Sequence, residues 1–278
     1  MKTVPSPRLI LSILALLSLT ACTQSTVTGE SRLIDVLPEG GVAAEPAGSA
    51  GISQLVSRAG PTYVTLNISH VEGASNKPSE RSKKALTSGS GFVVDGTGYI
   101  MTAAHVAVEK NNVVAARAAD GRIYSGRVVD VRPANDMALI KLTGFSGRAV
   151  VPSTNTCVKK GAELFSLGKP HEQRDVARVG TLDAMRFGRP VQYGKFGYPD
   201  AMVVHMSTQR GESGGPLFNA KGELQGMIVS TLSDGNGTPL KLAHALPVSD
   251  LAGFLCGEMS CSARWKALSG QSAAACGN

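Results

Sequence analysis

The chain has 278 residues, of which 42% are hydrophobic and 18% charged, enough apolar content to bury a core and too little charge for a disordered chain. Aromatic residues make up only 5% and glycines number 32, a mix that suits short strands joined by many turns and argues against a helical bundle packed on large side chains. The formal charge of +7 is spread along the chain, and its one dense basic cluster, Arg81-Ser82-Lys83-Lys84, lies in a polar stretch that reads as a solvated loop, so nucleic-acid binding does not follow.

Lys2 and Arg8 precede an apolar run over residues 9–19 that is too short to span a bilayer with ordinary flanks, so residues 1–21 read as an export signal. The run ends in Leu19-Thr20-Ala21-Cys22, which resembles the lipobox of bacterial lipoproteins. That resemblance implies an acylated Cys22 that anchors the chain to a membrane, and Thr23 after it favours the outer membrane of a bacterial envelope. An ordinary cleaved signal is the alternative. Residues 22–51 are rich in Gly, Ala, Pro, Ser and Thr without periodicity, as expected of a flexible tether.

From residue 52 the texture changes to short apolar runs punctuated by Asp-Gly and Gly-rich turns. Strands are expected over 63–68, 91–94, 99–102, 112–117, 122–124, 127–131 and 137–142, then over 163–167, 176–179, 202–206, 217–218, 224–231 and 241–246. Many short strands without intervening amphipathic helices predict an all-β sandwich or barrel over residues 52–255. Only residues 248–275 look helical in part, with Trp265 and Leu268 on one packing face. With Cys22 set aside, Cys157, Cys256, Cys261 and Cys276 allow two disulfides in an oxidising compartment. Three pairings are possible; the crowding near the end suggests a stapled extension over 256–278 that Cys157 ties back to the body. No C-x-x-C pair supports a zinc site, and the chemistry below calls for no metal or cofactor.

The most specific local signal is Gly211-Glu212-Ser213-Gly214-Gly215-Pro216-Leu217. A nucleophilic serine needs a tight backbone that presents its hydroxyl and aims amide N–H groups at a developing oxyanion, and glycines permit that backbone. A serine hydroxyl also needs a base, which Thr102-Ala103-Ala104-His105-Val106 supplies at the end of a strand. The base needs a carboxylate to hold its tautomer, and Asp136 stands just ahead of the apolar strand Met137-Ala138-Leu139-Ile140.

In the order His105, Asp136, Ser213, with Ser90-Gly91-Phe92-Val93-Val94, Leu164-Phe165-Ser166-Leu167-Gly168 and Ala245-Leu246-Pro247 in support, the chain resembles trypsin-like peptidases of the Deg/HtrA type over about residues 52–251. The resemblance implies two six-stranded antiparallel β-barrels of the chymotrypsin-like kind, followed by a short helical segment. It implies a serine endopeptidase that acts on protein or peptide substrates through an acyl-enzyme, with the N–H groups of Gly211 and Ser213 as its oxyanion hole. Family spacing puts Ser207 at the floor of the primary pocket, with Val229, Ser230 and Thr231 along a wall and His244 nearby. No Asp stands at that floor, so a small or medium uncharged residue is expected there rather than Lys or Arg. Two departures stand out. Glu212 replaces the usual Asn or Asp, an acid long enough to reshape the oxyanion loop, and the residues after Leu251 are too few for the peptide-binding PDZ domain of many relatives.

Two other readings compete. Gly211-Glu212-Ser213-Gly214-Gly215 also fits the G-x-S-x-G of α/β-hydrolase esterases, with Asp234 or Asp250 and His244 as partners, but Pro216 falls where that fold starts a helix. A pseudoprotease that only binds peptides follows if Glu212 spoils the oxyanion hole.

Overall fold

The computed structural model describes residues 33–35, 50–70, 85–170, 175–234, 236, 238–271 and 276. The expected signal, Cys22 and most of the tether lie outside these residues. Three tether residues form β1 (Leu33–Asp35), which pairs antiparallel with residues 176–178.

The folded body opens on a helix, α1 (Ala50–Ala59), ahead of the first strand expected at residue 63 and at residues to which the sequence reading gave no element. Ile52, Val56 and Ala59 are its buried positions, spaced as one face of a helix. A short 3₁₀ turn, Gly60–Thr62, feeds the first barrel: β2 (Tyr63–Ser69), β3 (Thr87–Val93), β4 (Tyr99–Thr102), β5 (Val113–Ala118), β6 (Ile123–Arg132) and β7 (Met137–Leu142), closed in the order β2-β3-β4-β7-β6-β5. Strand β5 shows the alternation that set the expectation: Val114, Ala116 and Ala118 face the core, and their neighbours do not. The two short runs expected at 122–131 are one strand. Gly126, which reads as a break, is where β7 comes so close that a Cβ would lie 2.3 Å from the Lys141 carbonyl oxygen, so the glycine serves the pairing.

The second barrel holds β8 (Glu163–Gly168) and β9 (Val176–Ala184), then, after a hairpin of β10 (Val191–Tyr193) and β11 (Phe196–Tyr198), β12 (Met202–His205), β13 (Pro216–Asn219), β14 (Leu224–Ser233) and β15 (Pro239–Pro247). Its order is β9-β12-β15-β14-β13-β8, and β8 pairs back onto β9 to close it. The chain is thus all-β with two closed six-stranded antiparallel barrels, as expected.

Helices α2 (Ala104–Ala107), α3 (Val248–Glu258) and α4 (Ala263–Ser269) complete the described body, with Trp265 and Leu268 buried as the sequence suggested. Disulfides join Cys256 to Cys261, across the α3–α4 turn, and Cys157 to Cys276. The second closes a loop with a sequence separation of 119 against 5 for the first. Chain-entropy arguments give about 5 kcal/mol for the long loop and about 2 kcal/mol for the short one. Removing Cys157 and Cys276 together should therefore lower the urea midpoint clearly more than removing Cys256 and Cys261 together, in equilibrium unfolding of oxidised protein.

Candidate active site

Pairing of β4 with β7 sets Thr102 opposite Ala138. His105 comes three residues after Thr102 and Asp136 two before Ala138, so two ends of one antiparallel ladder bring them together. After β4 the chain is extended at Ala103 and then winds into α2, which carries His105 in its first turn. Asp136 follows the 3₁₀ turn Pro133–Asn135 and sits in the left-handed region, φ 49 and ψ 42, a conformation that Asp tolerates better than most residues. Its side chain is 0% exposed. The carboxylate accepts the His105 backbone N–H at 2.9 Å and faces His105 Nδ1 at 2.9 and 3.1 Å. Both contacts fix the ring's orientation, and the second assigns the proton of neutral His105 to Nδ1, leaving Nε2 to act as a base.

A third donor reaches the same carboxylate. The Tyr193 hydroxyl donates to Asp136 Oδ2 and lies 3.4 Å from His105 Nδ1. Burial first, and the Asp136 charge next, push that hydroxyl well above its ordinary range, so it stays a donor. Tyr193 comes from the β10–β11 hairpin, which packs on the Pro133–Asn135 turn and which the sequence reading missed. The signal was present: apolar Val191, Tyr193, Phe196 and Tyr198 alternate around Gly194-Lys195, and Gly194 has φ +60, the glycine-first two-residue hairpin turn.

The Ser213 loop is seated on the first barrel. Ser90 donates its N–H to the Ser213 carbonyl at 2.9 Å and its hydroxyl to the Gly211 carbonyl at 2.8 Å. Gly214, at φ +81, lies so close to β3 and β4 that a Cβ would come within 2.2 Å of Thr102 Oγ1 and 2.3 Å of the Ser90 carbonyl oxygen. On the other side Gly214 donates to the Ile228 carbonyl of β14 at 2.8 Å. The Ser213 hydroxyl donates to the Val229 carbonyl at 3.4 Å, and among the described residues no hydrogen bond joins it to His105. Catalytic hydrogen bonds are often long in unliganded sites and tighten when substrate arrives. The N–H groups of Gly211 and Ser213 donate to no acceptor among the described residues, and both residues line one cleft with His105.

Glu212 does not line that cleft. Its carboxylate is turned into the second barrel, where Arg178 of β9 grips it through Nε at 2.7 and 2.8 Å and through Nη2 at 2.6 Å. Arg178 and Glu212 are only 1% and 2% exposed. The longer acid therefore reaches a buried cation behind the loop and leaves the two free N–H groups uncovered.

The cleft measures about 1190 Å³ and includes Val229, Ser230, Thr231 and His244 in its lining, whereas Ser207 is not part of it. His244 is fully buried on β15, with Nδ1 2.7 Å from the Tyr198 hydroxyl, which in turn lies 2.8 Å from Ser230 Oγ. Desolvation pushes the His244 imidazole down to about 4, so it is neutral at ordinary pH, and burial pushes Tyr198 up to about 12. The esterase arrangement is not assembled. Its alternation of strands and helices is absent from the two barrels, and His244 Nδ1 meets Tyr198 instead of the carboxylate of Asp234 or Asp250.

A family model, the trypsin-like peptidase domain, matches residues 89–227. The chain belongs to the trypsin-like peptidases. Among curated trypsin-like relatives, the serine endoprotease DegS of Salmonella typhimurium is 30% identical over 197 residues, covering 69% of this chain and 52% of its own. A probable periplasmic serine endoprotease, DegP-like, from Ectopseudomonas mendocina is 26% identical over 212 residues, covering 76% and 42%. The chain thus spans about half the length of the curated relatives it matches. Among solved structures of this fold, the Rv3671c protease in an inactive form is similar with a TM-score of 0.61 and 23% identity, covering 78% of this chain and 98% of that one. The active form from M. tuberculosis gives a TM-score of 0.61 at 22% identity, covering 80% and 92%.

The buried pair behind the loop makes a sharp prediction. Arg178→Met leaves the Glu212 carboxylate buried without its cation and should cost about 3–5 kcal/mol in urea unfolding, whereas Arg178→Met combined with Glu212→Gln should recover most of that loss.

Proposed function

We propose that the chain is a serine endopeptidase with Ser213 as nucleophile, His105 as general base and Asp136 as its orienting carboxylate. The observation that carries this reading is the buried Asp136 carboxylate holding both the backbone and Nδ1 of His105, in a cleft shared with Ser213. In this reading the Ser213 hydroxyl attacks the scissile carbonyl carbon while His105 Nε2 takes its proton. The oxyanion is held by the N–H groups of Gly211 and Ser213, which have no other acceptor among the described residues. His105 then gives the proton to the leaving nitrogen as the C–N bond breaks, and a water repeats the sequence to free Ser213. Tyr193 acts through Asp136 as a positioning residue, since its hydroxyl donates to the same carboxylate that meets His105 and so restrains how that carboxylate can turn.

Substrates in this reading are proteins or peptides, as the names of the endoprotease relatives suggest. The placement of Cys22 at the end of an apolar run supports a lipid-anchored protein of the bacterial envelope, and the periplasmic label of the DegP-like relative agrees with that compartment. The pseudoprotease reading has one observation in its favour, the Ser213 hydroxyl bonded to Val229 instead of His105.

A fluorophosphonate probe decides between the two. It should label the parent protein at Ser213, label Ser213→Ala not at all, and label His105→Ala far more slowly. Asp136→Asn should slow peptide hydrolysis by about 10⁴, the scale known for loss of an orienting carboxylate. No labelling of correctly folded parent protein would sink the enzyme reading. Tyr193→Phe removes one hydrogen bond to a charged group, worth about 1.5–3 kcal/mol, so kcat should fall roughly tenfold or more with KM little changed in peptide kinetics. For the anchor, cells fed radiolabelled palmitate should label the parent chain and not Cys22→Ser.

A further inference from the structure

His244 holds an imidazole nitrogen for which the fold supplies nothing. The residue is 0% exposed, and its Nε2 has no hydrogen-bond partner among the described residues, whereas Nδ1 is engaged by Tyr198 at 2.7 Å. A buried polar group left unpaired costs about 1–3 kcal/mol, so such a group points to a partner that arrives from outside. His244 belongs to the lining of the cleft onto which Ser213 opens. The triad does not use it.

The surrounding groups define what that partner is. Tyr198 has a single proton and two neighbours, Ser230 Oγ at 2.8 Å and His244 Nδ1. Ser230 has a hydroxyl proton of its own to give to Tyr198, which frees the Tyr198 proton for Nδ1. In that chain of bonds neutral His244 carries its proton on Nε2, the nitrogen left without a partner among the described residues, and is a donor there. Charge in the lining is one-sided: Arg189 and Arg210 belong to it and, among the described residues, no Asp or Glu does. Arg189 is also local to His244, because its guanidinium stands 4.6 Å over the ring of Phe187, and that ring lies 4.3 Å from the His244 ring. Asp200 also acts on His244 from outside the lining, where Arg186 pairs with it at 2.8 Å. An incoming side chain therefore meets a hydrogen-bond donor and two lining guanidinium groups, with no lining carboxylate among the described residues to welcome a cation.

We infer that His244 reads the residue on the acyl side of the cleaved bond, and that this residue ends in a carbonyl-type oxygen: glutamate, with glutamine as its neutral counterpart. The inference rests on the endopeptidase reading above and gives it a substrate class. It also replaces the expectation of a merely small uncharged residue with a specific chemical handle. His244→Phe keeps an aromatic ring and abolishes the donor, whereas Arg189→Ala leaves the donor and weakens the field, so Glu and Gln respond differently to the two changes.

The test is a set of otherwise identical fluorogenic peptides with Glu, Gln, Ala, Leu or Lys at that position, run on the full folded body, with fluorophosphonate labelling of Ser213 measured on the same samples. Glu should lead in kcat/KM, Gln should follow, and both should exceed Ala, Leu and Lys by at least tenfold. His244→Phe should lower Glu and Gln by tenfold or more relative to Leu, and Arg189→Ala should narrow the Glu-to-Gln ratio. If Ser213 labels but Ala, Leu or Lys leads in the parent protein, the inference is overturned while the endopeptidase reading survives. If folded parent protein neither labels nor cleaves any peptide, the endopeptidase reading itself has failed. Should His244→Phe fail to fold, Tyr198→Phe removes only the bond that sets the tautomer, and an unchanged Glu and Gln preference there would count against the donor assignment.

Discussion

A carboxylate with no exposed surface must be met by donors, and at Asp136 the fold brings three. Two belong to His105, its backbone N–H and its Nδ1, and the third is the Tyr193 hydroxyl from a hairpin inserted between β9 and β12. The residue even accepts a left-handed backbone to be there. Because β4 and β7 are neighbours in the first barrel, the His105 contacts follow from strand register and persist as long as that ladder does. The arrangement of the cleft begins from this carboxylate, since it engages Nδ1 of His105 and so leaves Nε2 as the other ring nitrogen.

The Ser213 loop obeys a different constraint. It is held by close approach, with Gly214 wedged against Ser90 and Thr102 of the first barrel and bonded to Ile228 of the second. Glu212 and Arg178 fasten the loop from behind. A buried ion pair of this kind adds little net stability over a well-packed apolar pair, because each ion loses its hydration. Its value lies in direction, as a carboxylate tied to β9 cannot turn toward the two amide groups beside it. Sequence reasoning singled out Glu212 as an acid long enough to reshape this loop, and in the fold its carboxylate meets Arg178.

What the sequence revealed and what it hid divide along the range of the interactions. Local chemistry was legible: the strand before His105, the apolar strand after Asp136, the glycines around Ser213 and the helical face carrying Trp265 and Leu268 could all be read from neighbours in the chain. Helix α1 was locally legible too, through Ile52, Val56 and Ala59, but the Gly-rich tether before it and the strands after it masked three buried positions. Tyr193, Tyr198 and Arg178 were not legible as partners, because their meaning comes from residues 57, 46 and 34 positions away. Ser207 illustrates the converse, since spacing borrowed from a family transfers a position without its surroundings: Val229, Ser230 and Thr231 line the cleft and Ser207 does not.

The connection between the barrels has one more consequence. Val150 donates to Val93 of the first barrel, and Ser153 donates to Leu224 of the second while the Leu224 N–H returns to Val151. Arg264 of α4 caps the Pro152 carbonyl at 2.6 Å, and Cys157 is bonded covalently to Cys276. A connector riveted at so many points cannot serve as a swivel. The two barrels are therefore tied at their junction by backbone, side chain and disulfide alike, while the β10–β11 hairpin carries one tyrosine to Asp136 and another to His244.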